Sequence, residues 1–247
     1  MISHRWYIDE AGIVSAQRSY AWDEWNIKEY YRYLDEDWFD RLDALTGKAN
    51  LGLTIAAAEW LIHQFSSSDP DPEPGLYLEA AWAGAVHSAY CPYMETGDDP
   101  WRGPVRGPMS MAMTIVNDAL YGLEHNPDIS VRACWLYNLT RHVLPDTKAF
   151  DAWWENCVQR LERFHSIAIE LSDYEPDLFE NFPNMGSPVP PEAFDPRRSY
   201  DPAQNPSLWD AYLRSLDPSA NPFLSPPEEL AEHDDLPGPP YHYIAIP

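Results

Sequence analysis

Glu59 and His63 stand four residues apart, the spacing that places two side chains on one face of a helix. A carboxylate beside an imidazole can work as a general acid–base pair or as part of a metal site. It is also a common structural hydrogen-bonded pair. His87, in the next apolar segment, is the third group that an all-helical enzyme would recruit if the fold brought it close. Glu162-Arg-Phe-His165 has the Glu-x-x-His spacing of di-iron bundles. Those sites need two such motifs and two further glutamates, so the lone copy here reads as structural. Cys91 lies four residues after His87, but nothing else in the sequence completes a nucleophilic site. Arg102 and Arg106, in a Gly- and Pro-rich loop from 97 to 108, can hold an anion. They can equally pair with Asp98, Asp99 or the acidic C-terminal segment. The loop lacks the Gly-Lys-Ser/Thr ending of a P-loop, and the chain has no Gly-x-Ser-x-Gly elbow, Rossmann fingerprint or His-Glu-x-x-His motif. No cofactor and no metal is called for by these motifs.

A different pattern comes from charge. Glu29, Tyr33, Glu36, Asp40 and Asp43 step by four, three, four and three, with Asp35 and Asp37 beside them. On one continuous helix these positions share a face opposite the apolar residues. A solubilising face usually mixes acids and bases at i,i+4. This stripe includes no base; Arg32 lies at its edge, and Lys28 and Arg41 lie further round. Glu29, Tyr33, Glu36, Asp37, Asp40 and Asp43 are therefore the expected partner-binding residues. Two further acidic clusters are Asp69, Asp71 and Glu73, and Glu228, Glu229, Glu232, Asp234 and Asp235.

The elements that must carry these groups are mostly helical. From Asp23 to Leu45 the apolar stripe is Ile27, Tyr31, Leu34, Trp38, Leu42 and Leu45, with a possible break near Asp35. Asn50 is expected to cap a helix from Leu51 to Phe65, apolar nearly all round and hence central. Further helices are expected over 75–90, 109–124, 130–144 and 146–171. The last carries the stripe Phe150, Trp154, Cys157, Leu161, Phe164, Ala168 and Leu171. Trp6-Tyr7-Ile8 and Ile13-Val14 flank Asp9-Glu10-Ala11-Gly12, which predicts a small N-terminal β-hairpin. The β-prone 241–246 segment is a candidate third strand.

After Asp173 the composition changes. Sixteen of the 25 prolines fall there, and residues 166–247 carry half of the net charge of -24. Short helices are expected over 206–216, capped by Asn205, and over 226–233, where Ser225 and Glu228 match a capping box. Phe179, Phe182, Phe194, Tyr200, Trp209, Tyr212 and Phe223 predict an irregular arm packed on the core. The expected fold class is mainly α, with a helical core domain over 1–172 and an acidic Pro-rich arm over 173–247 wrapping it. At 247 residues such a chain can bury a core without metal or disulfide staples. Cys91, Cys134 and Cys157 are odd in number and form no CxxC pair.

Forty acids against 16 bases argue against binding to nucleic-acid phosphates or anionic membrane. With no apolar leader in the given sequence, a cytoplasmic location is expected. The expected function is that of an acidic inhibitor or immunity protein. It would bind a basic protein partner, a cognate bacterial toxin, and occlude its active site. The protein would be monomeric before the complex forms. Two alternatives stay open: a nucleic-acid mimic that inhibits a DNA-binding protein, and an all-α enzyme built on Glu59, His63 and His87.

Overall fold

Helix α4 (Gly47–Gln64) is buried along almost its whole length, because Leu51, Leu53, Ile55, Ala56, Ala57, Ala58, Trp60 and Leu61 leave it no polar side. A helix apolar all round must be covered all round. The computed structural model describes residues 6–14, 19–95, 101–123, 129–168 and 184–244. Within them α4 packs against α5 (Glu73–Val86), α6 (Gly103–Gly122), α7 (Ile129–Val143) and α8 (Lys148–Phe164). Shorter helices are α1 (Trp6–Glu10), α2 (Lys28–Tyr31), α3 (Glu36–Asp43), α9 (Asn205–Ser215) and α10 (Pro227–Leu230). The class is mainly α. No described helix is long and apolar enough to cross a membrane.

The expected N-terminal hairpin is not formed. Residues 6–10 make a helical turn instead, closed by bonds from the Ala11 amide to the Ile8 carbonyl and from Gly12 to Asp9. Gly12 has φ +62°. Asp9-Glu10-Ala11-Gly12 is thus a helix end with a left-handed glycine, which has the same composition as a hairpin turn. Tyr7, Ile8 and Ile13 enter the core. The third strand is also absent over 241–244, where Tyr241 has φ 60° and its hydroxyl donates to the Ser225 carbonyl. Residues 245 and 246 lie outside the described residues.

Helix boundaries moved for identifiable reasons. The 23–45 segment divides into α2 and α3, and Asp35 caps α3 by accepting from the Trp38 amide. Asn50 lies inside α4 and donates to the Leu42 carbonyl at 2.8 Å, so it does not cap. The first amides of α4 are satisfied from the far end of the chain: Gly47 donates to the Asn184 carbonyl and Lys48 to Met185. Helix α6 begins at Gly103, ahead of the expected 109, with Pro104 in its first turn and Pro108 inside it. Pro108 has no amide for the Pro104 carbonyl, and the Tyr20 hydroxyl occupies that acceptor instead. Helix α8 stops at Phe164, short of the expected 171. There the chain peels away: Thr46 donates to the His165 carbonyl and Ile167 to Ala44, making an antiparallel bridge between Leu45 and Ser166. Residues 169–171 lie outside the described residues. Ser225 does not form a capping box; its hydroxyl donates to the Ala89 carbonyl. Asn205 is the first residue of α9, and its side chain donates to the Tyr200 hydroxyl.

From residue 184 the chain lies on the helices. Trp209 and Phe194 are fully buried, and Tyr200, Tyr212 and Phe223 pack against the same apolar cluster. Trp153 on α8 donates its indole proton to the Phe194 carbonyl at 2.9 Å. Trp209 donates to Pro188 at 3.0 Å. Gly52 on α4 is where Phe194 seats: a Cβ there would lie 2.9 Å from the ring. Phe179 and Phe182 fall outside the described residues.

Candidate functional site

Helix α3 presents Glu36, Asp37, Asp40 and Asp43, all exposed. Its inner side is set by Leu42, which is buried, and by Trp38, whose ring meets Tyr137 and Trp154 at 5.5 and 6.0 Å. This fixes the rotation of the helix, and the carboxylates follow from it. Glu36, Asp40 and Asp43 keep the i, i+4, i+7 relation expected of them. Glu29 and Tyr33 do not extend that face as a continuous helix, because residues 32–35 are not helical. Glu29 is exposed on α2, and Tyr33 is 52% exposed in the connection between α2 and α3. The whole segment still lies along α7. Ser130 donates to Asp43 at 3.1 Å, and Asn138 donates to the Tyr31 and Tyr33 carbonyls at 3.1 and 2.9 Å. Tyr30 stacks on His142 at 4.3 Å.

Two bases near this face, Arg41 and Arg32, are engaged elsewhere. Arg41, the base on α3, donates to Glu162 from Nε at 2.6 Å and to Glu155 from Nη1 at 2.9 Å. These hydrogen bonds raise the Arg41 pKa and hold the Glu155 carboxyl below its ordinary range. Arg32 stacks over the Trp135 ring at 4.6 Å. Among the described residues Glu36, Asp37 and Asp40 make no ion pair. The Arg41 guanidinium is thus shared by two carboxylates of α8, Glu155 and Glu162.

Exposed apolar groups missed by the sequence pattern precede α3 in the chain. Trp25 is 95% exposed. Leu34 was expected on the buried stripe and is 45% exposed, because it falls in the non-helical link. Nothing local in the sequence separates Trp25 from the buried tryptophans.

The enzyme constellation is only partly assembled. Glu59 and His63 line one cavity of about 310 Å³ together with residues of α1, α5, α6 and α9 and the turn after α4. Trp82 donates its indole proton to Glu59 at 2.9 Å, and His63 Nε2 lies 3.1 Å from Asp9. His87 is not among the lining residues. It follows α5, whose Val86 carbonyl accepts from Lys48 at 3.2 Å near the start of α4. His63 is fifteen residues further along α4, or roughly 22 Å at the rise of an α-helix. His87 instead faces Asp235 at 3.4 Å and accepts from the Ala89 amide.

The remaining motifs have structural partners. His165 meets the Tyr200 hydroxyl at 2.7 Å, while Glu162 holds Arg41. Burial pushes the Cys91 and Cys134 thiols up to about 12, and raises Cys157 as well, so none is a ready nucleophile. Arg106 pairs with Asp69 at 2.5 Å and with Asp71 at 3.2 Å, both in the acidic cluster of residues 69–73. Asp98 and Asp99 lie outside the described residues. Among the described residues no three His, Cys, Asp or Glu side chains gather as a metal site. Comparison with family models, with curated proteins and with solved structures finds no match.

Proposed function

We propose that this protein is an acidic inhibitor of the immunity type, acting in the cytoplasm as a monomer that captures a basic toxin and covers its active site. The observation that carries this reading is the open carboxylate face of α3. Glu36, Asp37 and Asp40 stand exposed while Arg41 is turned inward to Glu155 and Glu162. Like charges on one face repel and favour any cationic surface that neutralises them. Tyr33 and Leu34, exposed in the link that leads into α3, add the aromatic and aliphatic contacts that dominate the energy of most protein interfaces. A nucleic-acid mimic fits less well. It needs carboxylates spaced like phosphates over a long surface, whereas α3 has two turns and apolar neighbours.

The test begins with capture of the full-length protein's partner in its native host, with products of neighbouring genes purified and assayed for toxicity. A basic toxin neutralised by this protein is the expected result. The triple change Glu36→Lys, Asp37→Lys, Asp40→Lys should then slow association at least tenfold at low salt. Leu34→Ala should speed dissociation. Unchanged association and unchanged neutralisation by the triple variant would overturn the reading.

A further inference from the structure

A second cavity opens between α2, α6 and α7, and no described residue of α3 lines it. Its volume of about 310 Å³ admits about ten groups of water size at ~30 Å³ each. Trp25, Ile27, Met111, Ile115 and Trp135 make its apolar wall. Trp25 is 95% exposed, so a large ring on that wall stands without cover. The polar lining carries both signs of charge. Lys28 and Arg32 lie four positions apart, on α2 and at its C-cap, and so share a side. Asp118 faces the cavity from α6. Glu24 is engaged by the Gly103 amide, and the Thr114 hydroxyl donates to Ser110 at 2.9 Å. Elsewhere in the protein such charges pair: Arg41, Arg106, Arg141, Arg197, Arg198 and Arg214 each hold a carboxylate. Among the described residues Lys28, Arg32 and Asp118 make no ion pair. Arg32 and Arg132 instead both stack on the Trp135 ring, at 4.6 and 4.9 Å. Burial raises the pKa of Tyr31, with Arg32 opposing the shift and Asp118 adding to it. The two opposite charges thus act on one hydroxyl without meeting each other.

An occupant must satisfy all three parts of this lining. A simple anion would meet Asp118, and a simple amine would meet Lys28 and Arg32. A neutral apolar molecule would desolvate both signs of charge and match neither. A zwitterion with an aromatic body satisfies all three. We propose that this cavity binds a free aromatic α-amino acid. Its carboxylate would accept from the N–H edge of Arg32, since stacking on Trp135 engages only the face of the guanidinium, with Lys28 beside it. Its ammonium would face Asp118, and its ring would cover Trp25 and lie along Met111 and Ile115. Both charges must come from one residue, so the interior of a peptide does not qualify.

The probe is L-phenylalanine, compared with hydrocinnamate, which lacks the ammonium, and phenethylamine, which lacks the carboxylate. Each is titrated into the full-length protein. The readout is the Trp135 indole N–H resonance, assigned with Trp135→Phe. We expect L-phenylalanine to shift that resonance saturably and to bind at least tenfold tighter than either analogue. Arg32→Gln should weaken L-phenylalanine at least tenfold, towards the affinity of phenethylamine. Asp118→Asn should weaken it as much, towards the affinity of hydrocinnamate. An analogue that binds the unmodified protein as tightly as L-phenylalanine would overturn the proposal even if neither variant folds. So would an L-phenylalanine titration that leaves the Trp135 resonance unmoved.

Discussion

Arg41 and Glu162 are 121 positions apart in sequence, yet the Arg41 Nε lies 2.6 Å from a Glu162 oxygen. This contact, with Glu155 two turns earlier on α8, ties α3 to the bundle and draws the one base of α3 away from its outer carboxylates. Removing the guanidinium also leaves two glutamates facing each other. Arg41→Met should therefore cost about 1–2 kcal/mol, a value moderated by solvent screening of this partly exposed network. Denaturant unfolding checks it, and the loss should shrink at high salt. No change at any salt concentration would mean that the Arg41 network does not hold α3 on the bundle.

The C-terminal segment contributes core as well as charge. Trp209 is fully buried and its indole donates to Pro188. Trp209→Ala should destabilise the protein by about 3–5 kcal/mol, the range for large-to-small changes in a core. A loss below 1 kcal/mol by chemical denaturation would show that the segment can detach without disturbing the helices.

Gly52 and Phe194 should be energetically coupled. A Cβ at Gly52 would meet the Phe194 ring at 2.9 and 3.1 Å, and both sites are buried. Gly52→Ala should cost about 1–3 kcal/mol through overpacking. In the Phe194→Leu background the same change should cost distinctly less, because the ring edge it strikes is gone. Additive losses in the double-mutant cycle would refute this contact.

His165 gives a pH dependence with a definite sign. Burial lowers its pKa from the ordinary 6.5, and its Nε2 lies 2.7 Å from the Tyr200 hydroxyl. The unfolded chain therefore takes up a proton before the folded one does as the pH falls. Stability from this group is complete above pH 6.5 and is lost as the pH drops from there through the folded value. His165→Asn should flatten the decline of melting temperature below pH 6.5. Parallel curves for the two proteins would exclude His165 as its source.

Asp69 acts at lower pH. Its carboxyl is held below the ordinary 3.8 chiefly by the hydrogen bond from Arg106. Its contribution is present above that value and fades as the pH falls through the folded one. Asp69→Asn should remove part of the acid-induced loss below about pH 4. An acid limb identical to that of the unmodified protein would count against the pair.

The helices were legible because burial leaves a periodic record. Phe150, Trp154, Cys157 and Leu161 repeat by four and three and are buried on one side of α8. The all-apolar run of α4 announced a central helix, and the rings at 194 and 209 announced a C-terminal segment that packs. The exposed carboxylates of α3 were legible for the same reason, as the side left over once Leu42 faces inward. Local composition failed where two structures use the same residues. Asp9-Glu10-Ala11-Gly12 can turn a hairpin or end a helix, and only the seat of Tyr7 between Trp60 and Trp153 distinguishes them.

What the sequence determined by itself is therefore the helical class, the covered central helix and the excess of unbalanced acid. Periodicity and charge are properties of neighbouring residues, and neighbours are what a sequence displays. The tertiary structure decided which acids keep their cations. Arg41 finds Glu162 and Arg106 finds Asp69 only after long stretches of chain have folded back. It also exposed Trp25 and Leu34, separated His87 from His63, and assembled a cavity from five helices and a turn. Each of these depends on the path of the backbone between distant residues, and long-range packing, which no short spacing encodes, fixes that path.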